Sequence, residues 1–135
     1  MLIPEAVYYE LTSNARFKVE AEEIQACDFI ERVKVERSES VDLLRKATGL
    51  DKGESEAIIY TDESGADLLL MDEAKGRQVA KQMGFNIMGT LGLLMAAHNR
   101  GLLQKEEIVK CMDILRYSGR HISETLYKQL IEKLG

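Results

Sequence analysis

The sequence has no tryptophan, a single proline and two cysteines in 135 residues. Cys27 and Cys111 stand alone, with no Cys-x-x-Cys pair and no neighbouring histidine at ligand spacing, which argues against a disulfide framework and against zinc. His98 and His121 have no partner at nucleophile spacing, so a hydrolase triad is not supported. No apolar run approaches the roughly 18 to 20 residues needed to cross a bilayer, and Met1-Leu2-Ile3-Pro4-Glu5 lacks the pattern of a leader. A cytoplasmic location away from membranes is expected. Positive charge is also in deficit. Eighteen Lys and Arg against 23 Asp and Glu leave a net charge of -5, too acidic for a broad surface that binds nucleic acid by releasing counterions. Any nucleic-acid contact must be local or bridged by a cation.

What is present suffices for one core. With 45% hydrophobic and 30% charged residues, the chain is expected to form one domain over residues 1–135. Apolar spacing and stop residues predict a helix from Pro4 to about Thr12 and another from Val19 to Phe29. A strand follows from Ile30 to Val35, then a helix from Val41 to a stop at Gly49. A further helix runs from Glu54 to about Glu63 and ends at Gly65. The run Asp67-Leu68-Leu69-Leu70-Met71 has the length of a buried strand; a helix to Met83, a strand from Phe85 to Met88 and a helix from Leu91 come next. Lys105 to Tyr117 and Ser123 to Leu134 form a C-terminal helical hairpin, with Ser123 as N-cap. This alternation predicts an α/β fold on a mainly parallel sheet.

The sheet gives the acids a meeting place. A helix of about ten residues rises about 15 Å and a strand of about five residues about 17 Å, so Glu54 and Asp72 are expected at the same end. That end is the carboxyl edge of the strands, where open parallel sheets bind ligands. Clustered carboxylates suit Mg²⁺ or Mn²⁺, hard cations that take oxygen ligands and, in pairs, activate water against a phosphodiester. Glu56 and Glu73 could assist from further out. A plainer reading stays open: Asp51-x-x-Glu54 has the form of a capping box, and Asp72 could N-cap the helix after it. Lys75, Arg77 and Lys81 follow Asp72, with Arg77 and Lys81 one turn apart, and could hold phosphates or form an ordinary solvated face. Thr90 could touch a phosphate or cap its helix.

The ordered stretches Leu50-Asp51-Lys52-Gly53-Glu54-Ser55-Glu56-Ala57-Ile58 and Gly65-Ala66-Asp67-Leu68-Leu69-Leu70-Met71-Asp72-Glu73 resemble the PIN-domain family, in particular its short prokaryotic VapC-like toxins. Ile3-Pro4-Glu5-Ala6-Val7-Tyr8-Tyr9-Glu10-Leu11 is similar to that family's second block. Gly76-Arg77-Gln78-Val79-Ala80, Gly89-Thr90-Leu91-Gly92 and Ile122-Ser123-Glu124-Thr125-Leu126-Tyr127 extend the likeness along the chain. The resemblance implies a PIN-like three-layer α/β/α fold and a metal-dependent ribonuclease, the toxin of a toxin–antitoxin pair. Its implied Mg²⁺ or Mn²⁺ ligands and catalytic acids are Glu10, Glu54 and Asp72, with Glu56 auxiliary. Lys75, Arg77, Lys81 and Thr90 would contact nucleic acid.

One departure stands out. The family's first block, a central strand ending in Asp and a small hydroxyl residue, has no counterpart before Ile3-Pro4, so the fold is expected to be N-terminally truncated. An upstream start or a truncated chain is the favoured explanation; a degenerate remnant, or a strand lent by another chain, is the alternative. RNA as substrate, an antitoxin protein and a homodimer are the implied partners. The alternative function is a non-catalytic PIN-like remnant that dimerises or binds an antitoxin.

Overall fold

The computed structural model describes residues 1–13, 18–28, 30–117 and 123–135. Its order is β1 (Leu2–Pro4), α1 (Glu5–Thr12), α2 (Lys18–Ala26), β2 (Glu31–Val33), α3 (Ser38–Thr48), α4 (Lys52–Ser64), β3 (Leu69–Leu70), α5 (Ala74–Gln82), β4 (Ile87–Met88), α6 (Thr90–Asn99), α7 (Lys105–Tyr117) and α8 (Glu124–Lys133). The fold is mixed α/β, as the alternating pattern predicts. No helix among the described residues is long and apolar enough to cross a membrane. The chain divides into two compact units, Met1–Ile87 and Met88–Gly135.

In the first unit α4 is the hub, contacting α1, α3, α5, β1 and β3. It begins where Asp51 Oδ1 accepts the Glu54 N–H at 2.8 Å and stops at Gly65, whose φ of 68° only glycine adopts without strain. Its inner face is Ile58, fully buried with Leu50, Leu69, Met71 and Ala80. Ile59 packs into a second cluster with Val35 and Val41. Helices α3 and α4 are clamped at their far end. The Glu63 carboxylate accepts the Glu36 and Arg37 N–H groups at 2.9 and 3.3 Å, and Arg37 pairs with Asp62 at 2.7 Å. Glu63 thus satisfies backbone donors at the start of α3, which has no side-chain cap of its own.

The strands are shorter than their apolar runs. β1 pairs in parallel with β2 in the register Leu2 to Glu31, Ile3 to Arg32 and Pro4 to Val33. Among the described residues β3 pairs only with β4, Leu69 N–H donating to the Asn86 carbonyl at 3.0 Å. The strand expected over Ile30 to Val35 shrinks to Glu31–Val33, and the one over Asp67 to Met71 to Leu69–Leu70, because each pairs over only that length. Among the described residues β1 and β3 therefore each pair on one side only, and no single sheet joins them. The helix expected from Val41 begins earlier, at Ser38, and the one expected to reach Phe29 ends at Ala26; Phe29 itself lies outside the described residues.

The second unit is helical. Ile108, Met112, Leu130 and Leu134 are buried together, with Leu91, Leu94 and Met95 of α6 packed against them. The expected Ser123 cap is present, its Oγ accepting the Leu126 N–H at 3.1 Å, and Tyr127 O–H donates to Asp113 at 2.8 Å. His98 Nδ1 donates to the Leu103 carbonyl at 3.1 Å, which fixes the turn after α6 and gives this histidine a structural task. His121 lies outside the described residues.

Candidate metal centre

Glu10 lies on the exposed side of α1, and its carboxylate rests on the first turn of α4. A Cβ built on Gly53 would come within 2.5 Å of Glu10 Oε1, so the bare glycine is what admits this approach. Helix α1 is set in place by the next turn of α4: the Ala6 N–H donates to Glu56 Oε1 at 3.1 Å. Pro4, the N-cap of α1, offers no side-chain cap, and the buried Glu56 carboxylate takes that role from across the interface. Glu56 is therefore first an anchor, with one oxygen committed to backbone.

The electrostatics show which acids have come together. The Glu10 carboxyl is held above its ordinary value by partial burial and then by the negative charges of Asp51 and Glu56. Glu54 is raised likewise, by partial burial, then by Asp51, Glu73 and Glu10, although a backbone hydrogen bond at Asp51 works the other way. Glu10, Asp51, Glu54, Glu56 and Glu73 thus share one electrostatic neighbourhood, drawn from α1, the α4 N-terminus and the turn after β3. Asp72 occupies that same turn, exposed at the end of β3 and directly before Glu73. It is not the N-cap of α5; that position belongs to Glu73, which makes no side-chain cap bond. The Asp51 cap, by contrast, is real, so Asp51 caps α4 while adding charge to the acid group. Sequence spacing treats Asp51 as a cap alone and misses this second effect.

These groups are oxygen donors under mutual repulsion, the chemistry a hard divalent cation relieves. Among the described residues no three of them converge closely enough to form a ready-made ligand set. The other expected contacts separate. Arg77 Nη1 donates to the Met71 carbonyl at 2.9 Å, bracing the end of β3 beside Asp72. The Lys75 ammonium leans toward Gly49, 3.0 Å from where a Cβ would stand, and Lys81 is solvent-exposed on α5. Thr90 is the first residue of α6 in the second unit, after a Gly89 N-cap that makes no side-chain bond.

The raised carboxyls predict a pH dependence. A carboxyl whose folded pKa lies above its unfolded value contributes stability that is complete below the unfolded pKa and lost as pH rises through the folded one. For Glu10 and Glu54 the loss begins near the ordinary value of 4.5 and proceeds toward neutrality. In urea unfolding with EDTA, the double variant Glu10→Gln/Glu54→Gln is expected to lose less stability than the parent between acid and neutral pH. Equal slopes for the two proteins would refute the electrostatic account.

A family model described as a PIN domain matches residues 1–135, across both compact units. No curated protein and no solved structure matches the chain.

Proposed function

Because the chain belongs to the PIN-domain family, a nuclease-type and nucleic-acid-interacting family, we propose that it is a metal-dependent ribonuclease in which Glu10, Glu54 and Asp72 hold Mg²⁺ or Mn²⁺. The metal would supply an activated water and neutralise charge on the phosphodiester. The carrying observation is that the Glu10 carboxylate of α1 rests on Gly53 in the first turn of α4, next to Glu54, whose carboxyl is raised by partial burial and then by Asp51, Glu73 and Glu10. Asp51 and Glu56 hold the frame: one caps α4, and the other fixes α1 against it.

On this reading the acid set is completed by a further strand that pairs with the open edges of β1 and β3 and carries another carboxylate. One observation supports it: both strands rest on α4 yet, among the described residues, lack a common neighbour. A homodimer, and pairing with an antitoxin protein in a toxin role, belong to the same proposal, as does joint action of the two units as one domain.

The test is Mn²⁺-dependent cleavage of single-stranded RNA by residues 1–135, by the same chain with its upstream-encoded residues added, and by each carrying Asp72→Asn. Cleavage is expected to be strongest in the extended chain and to fall at least about 100-fold with Asp72→Asn, the loss of several kcal/mol of metal assistance. Unchanged cleavage in Asp72→Asn would remove Asp72 from the site. A second reading, a non-catalytic PIN-like module that dimerises or binds an antitoxin, is favoured by the absence of a converged ligand set among the described residues. It requires that calorimetry detect no Mn²⁺ binding to either chain.

A further inference from the structure

At the corner where α3 hands over to α4, a cavity of about 470 Å³ is lined by Asp42, Arg45, Lys46, Gly49 and Leu50. Arg45 and Lys46 come from the last turn of α3. Lys75 joins them from α5, its ammonium resting against the Gly49 wall. None of these cations has an ion pair or hydrogen bond among the described residues, although Asp42 stands one turn from Lys46 on the same helix.

Basic residues in the last turn of a helix are favoured by its dipole, which would account for Arg45 and Lys46 alone. It does not account for Lys75. That residue sits in the first turn of α5, where the dipole opposes a cation and where the helix carries no acid within that turn. Two helices therefore direct positive charge to one concave place in a chain of net charge -5. Arg45 and Lys46 line the pocket with one carboxylate, Asp42, and Lys75 adds its charge beside Gly49, so the local balance is positive.

The cavity also abuts the acids. Gly49, Leu50 and Asp51 are the whole link between α3 and α4, at most about 10 Å of chain, and Asp51 belongs to the acid neighbourhood. A polyanion lying in the pocket would pass next to the carboxylates, which a bridging cation would join to it. A second protein surface would gain nothing from that adjacency.

We propose that the α3–α4 corner pocket, with Arg45, Lys46 and Lys75, binds backbone phosphates of single-stranded RNA beside the acid site. The choice of RNA rests on the ribonuclease reading above; the pocket itself does not. Arg45 offers a planar fork for paired phosphate oxygens, and the two lysines act as point charges. Gly49 keeps the floor open and, at φ 76°, closes α3 in the left-handed conformation, so the pocket and the turn depend on the same residue.

The test is fluorescence anisotropy of a labelled short oligouridylate in EDTA, where no cleavage is needed. The full chain is compared with Arg45→Ala/Lys46→Ala/Lys75→Ala and with the charge-matched control Lys110→Ala/Lys128→Ala/Lys133→Ala, thermal midpoints confirming that each is folded. The pocket variant is expected to bind at least about 10-fold more weakly at 0.1 M salt. Its log-affinity slope against log salt should flatten by about 2, since each single-strand phosphate contact contributes about 0.7. The control should change both far less. Equal behaviour of the two triple variants overturns the pocket. Displacement by polyglutamate as effective as by unlabelled oligouridylate overturns the choice of RNA in favour of an acidic protein. If neither the parent nor the extended chain cleaves RNA but the binding pattern holds, the ribonuclease reading fails and the pocket stands; cleavage with no pocket effect gives the reverse.

Discussion

Glu54→Gln is expected to abolish Mn²⁺-dependent RNA cleavage, by about 100-fold or more, while leaving the metal-free protein at neutral pH as stable as the parent or more so. The two effects have one cause. Partial burial of Glu54, and then the charges of Asp51, Glu73 and Glu10, oppose its ionisation, so replacing it with a neutral isostere relieves both in the absence of metal. The same repulsion is what a divalent cation would convert into affinity, and an amide supplies neither the charge nor the full donor strength. The Asp51 cap accepts from the backbone of residue 54, not from its side chain, and survives the change. Cleavage assays and urea unfolding in EDTA on the same preparation give both readings. A variant that loses activity only because it unfolds would show a lowered urea midpoint, and that outcome would count against the account.

The largest stability effect is expected at Ile58. Its side chain is fully buried in one cluster with Leu50 on the α3–α4 link, Leu69 and Met71 around β3 and Ala80 of α5, so Ile58→Ala removes packing shared by all three. Truncating a buried Ile to Ala costs about 2–5 kcal/mol, the upper part where the surroundings cannot collapse. Here the neighbours are short strands tied by few hydrogen bonds, so partial collapse and a value near the middle, about 3 kcal/mol, are expected from urea unfolding. Leu68→Ala is the contrast. Leu68 is 45% exposed despite lying in the same apolar run, and its truncation should fall within about 0.5 kcal/mol of neutral. Similar losses at the two positions would mean that β3 is buried differently from the way described.

That contrast also shows what the sequence made legible. Helix α4 was readable because its limits are chemical: an Asp cap at 51 and a left-handed glycine at 65. The Ser123 cap was readable for the same reason. Strand length was not. Leu68, Leu69 and Leu70 are equally apolar, yet only Leu69 and Leu70 are in the strand and only Leu69 is buried: strand extent depends on a distant partner and burial on the face that packing covers, neither of which local pattern encodes. At the candidate site, the neighbourhood of Glu10 and Glu54 spans 44 positions and followed from family likeness, not spacing. The committed oxygen of Glu56 and the bracing of Met71 by Arg77 are tertiary hydrogen bonds, and no periodicity points to them. Gly53 could have been noticed: a glycine in the first turn of a helix sacrifices helix propensity, and here it makes room for the Glu10 carboxylate. Arg45 and Lys46 were hidden by being ordinary, since basic residues at a helix end need no further reason until Lys75 joins them from elsewhere.

The brevity of the strands bears on how the protein behaves at high concentration. An unpaired strand edge is a template for other chains, and long flat edges invite fibrillar association. Among the described residues, the unpaired edge of β1 is three residues long, and its last residue, Pro4, has no N–H to offer an incoming strand; β3 presents only two residues. The further strand proposed above would have to gain its hold from more than so short a backbone ladder, which selects for a tailored segment over any sticky one.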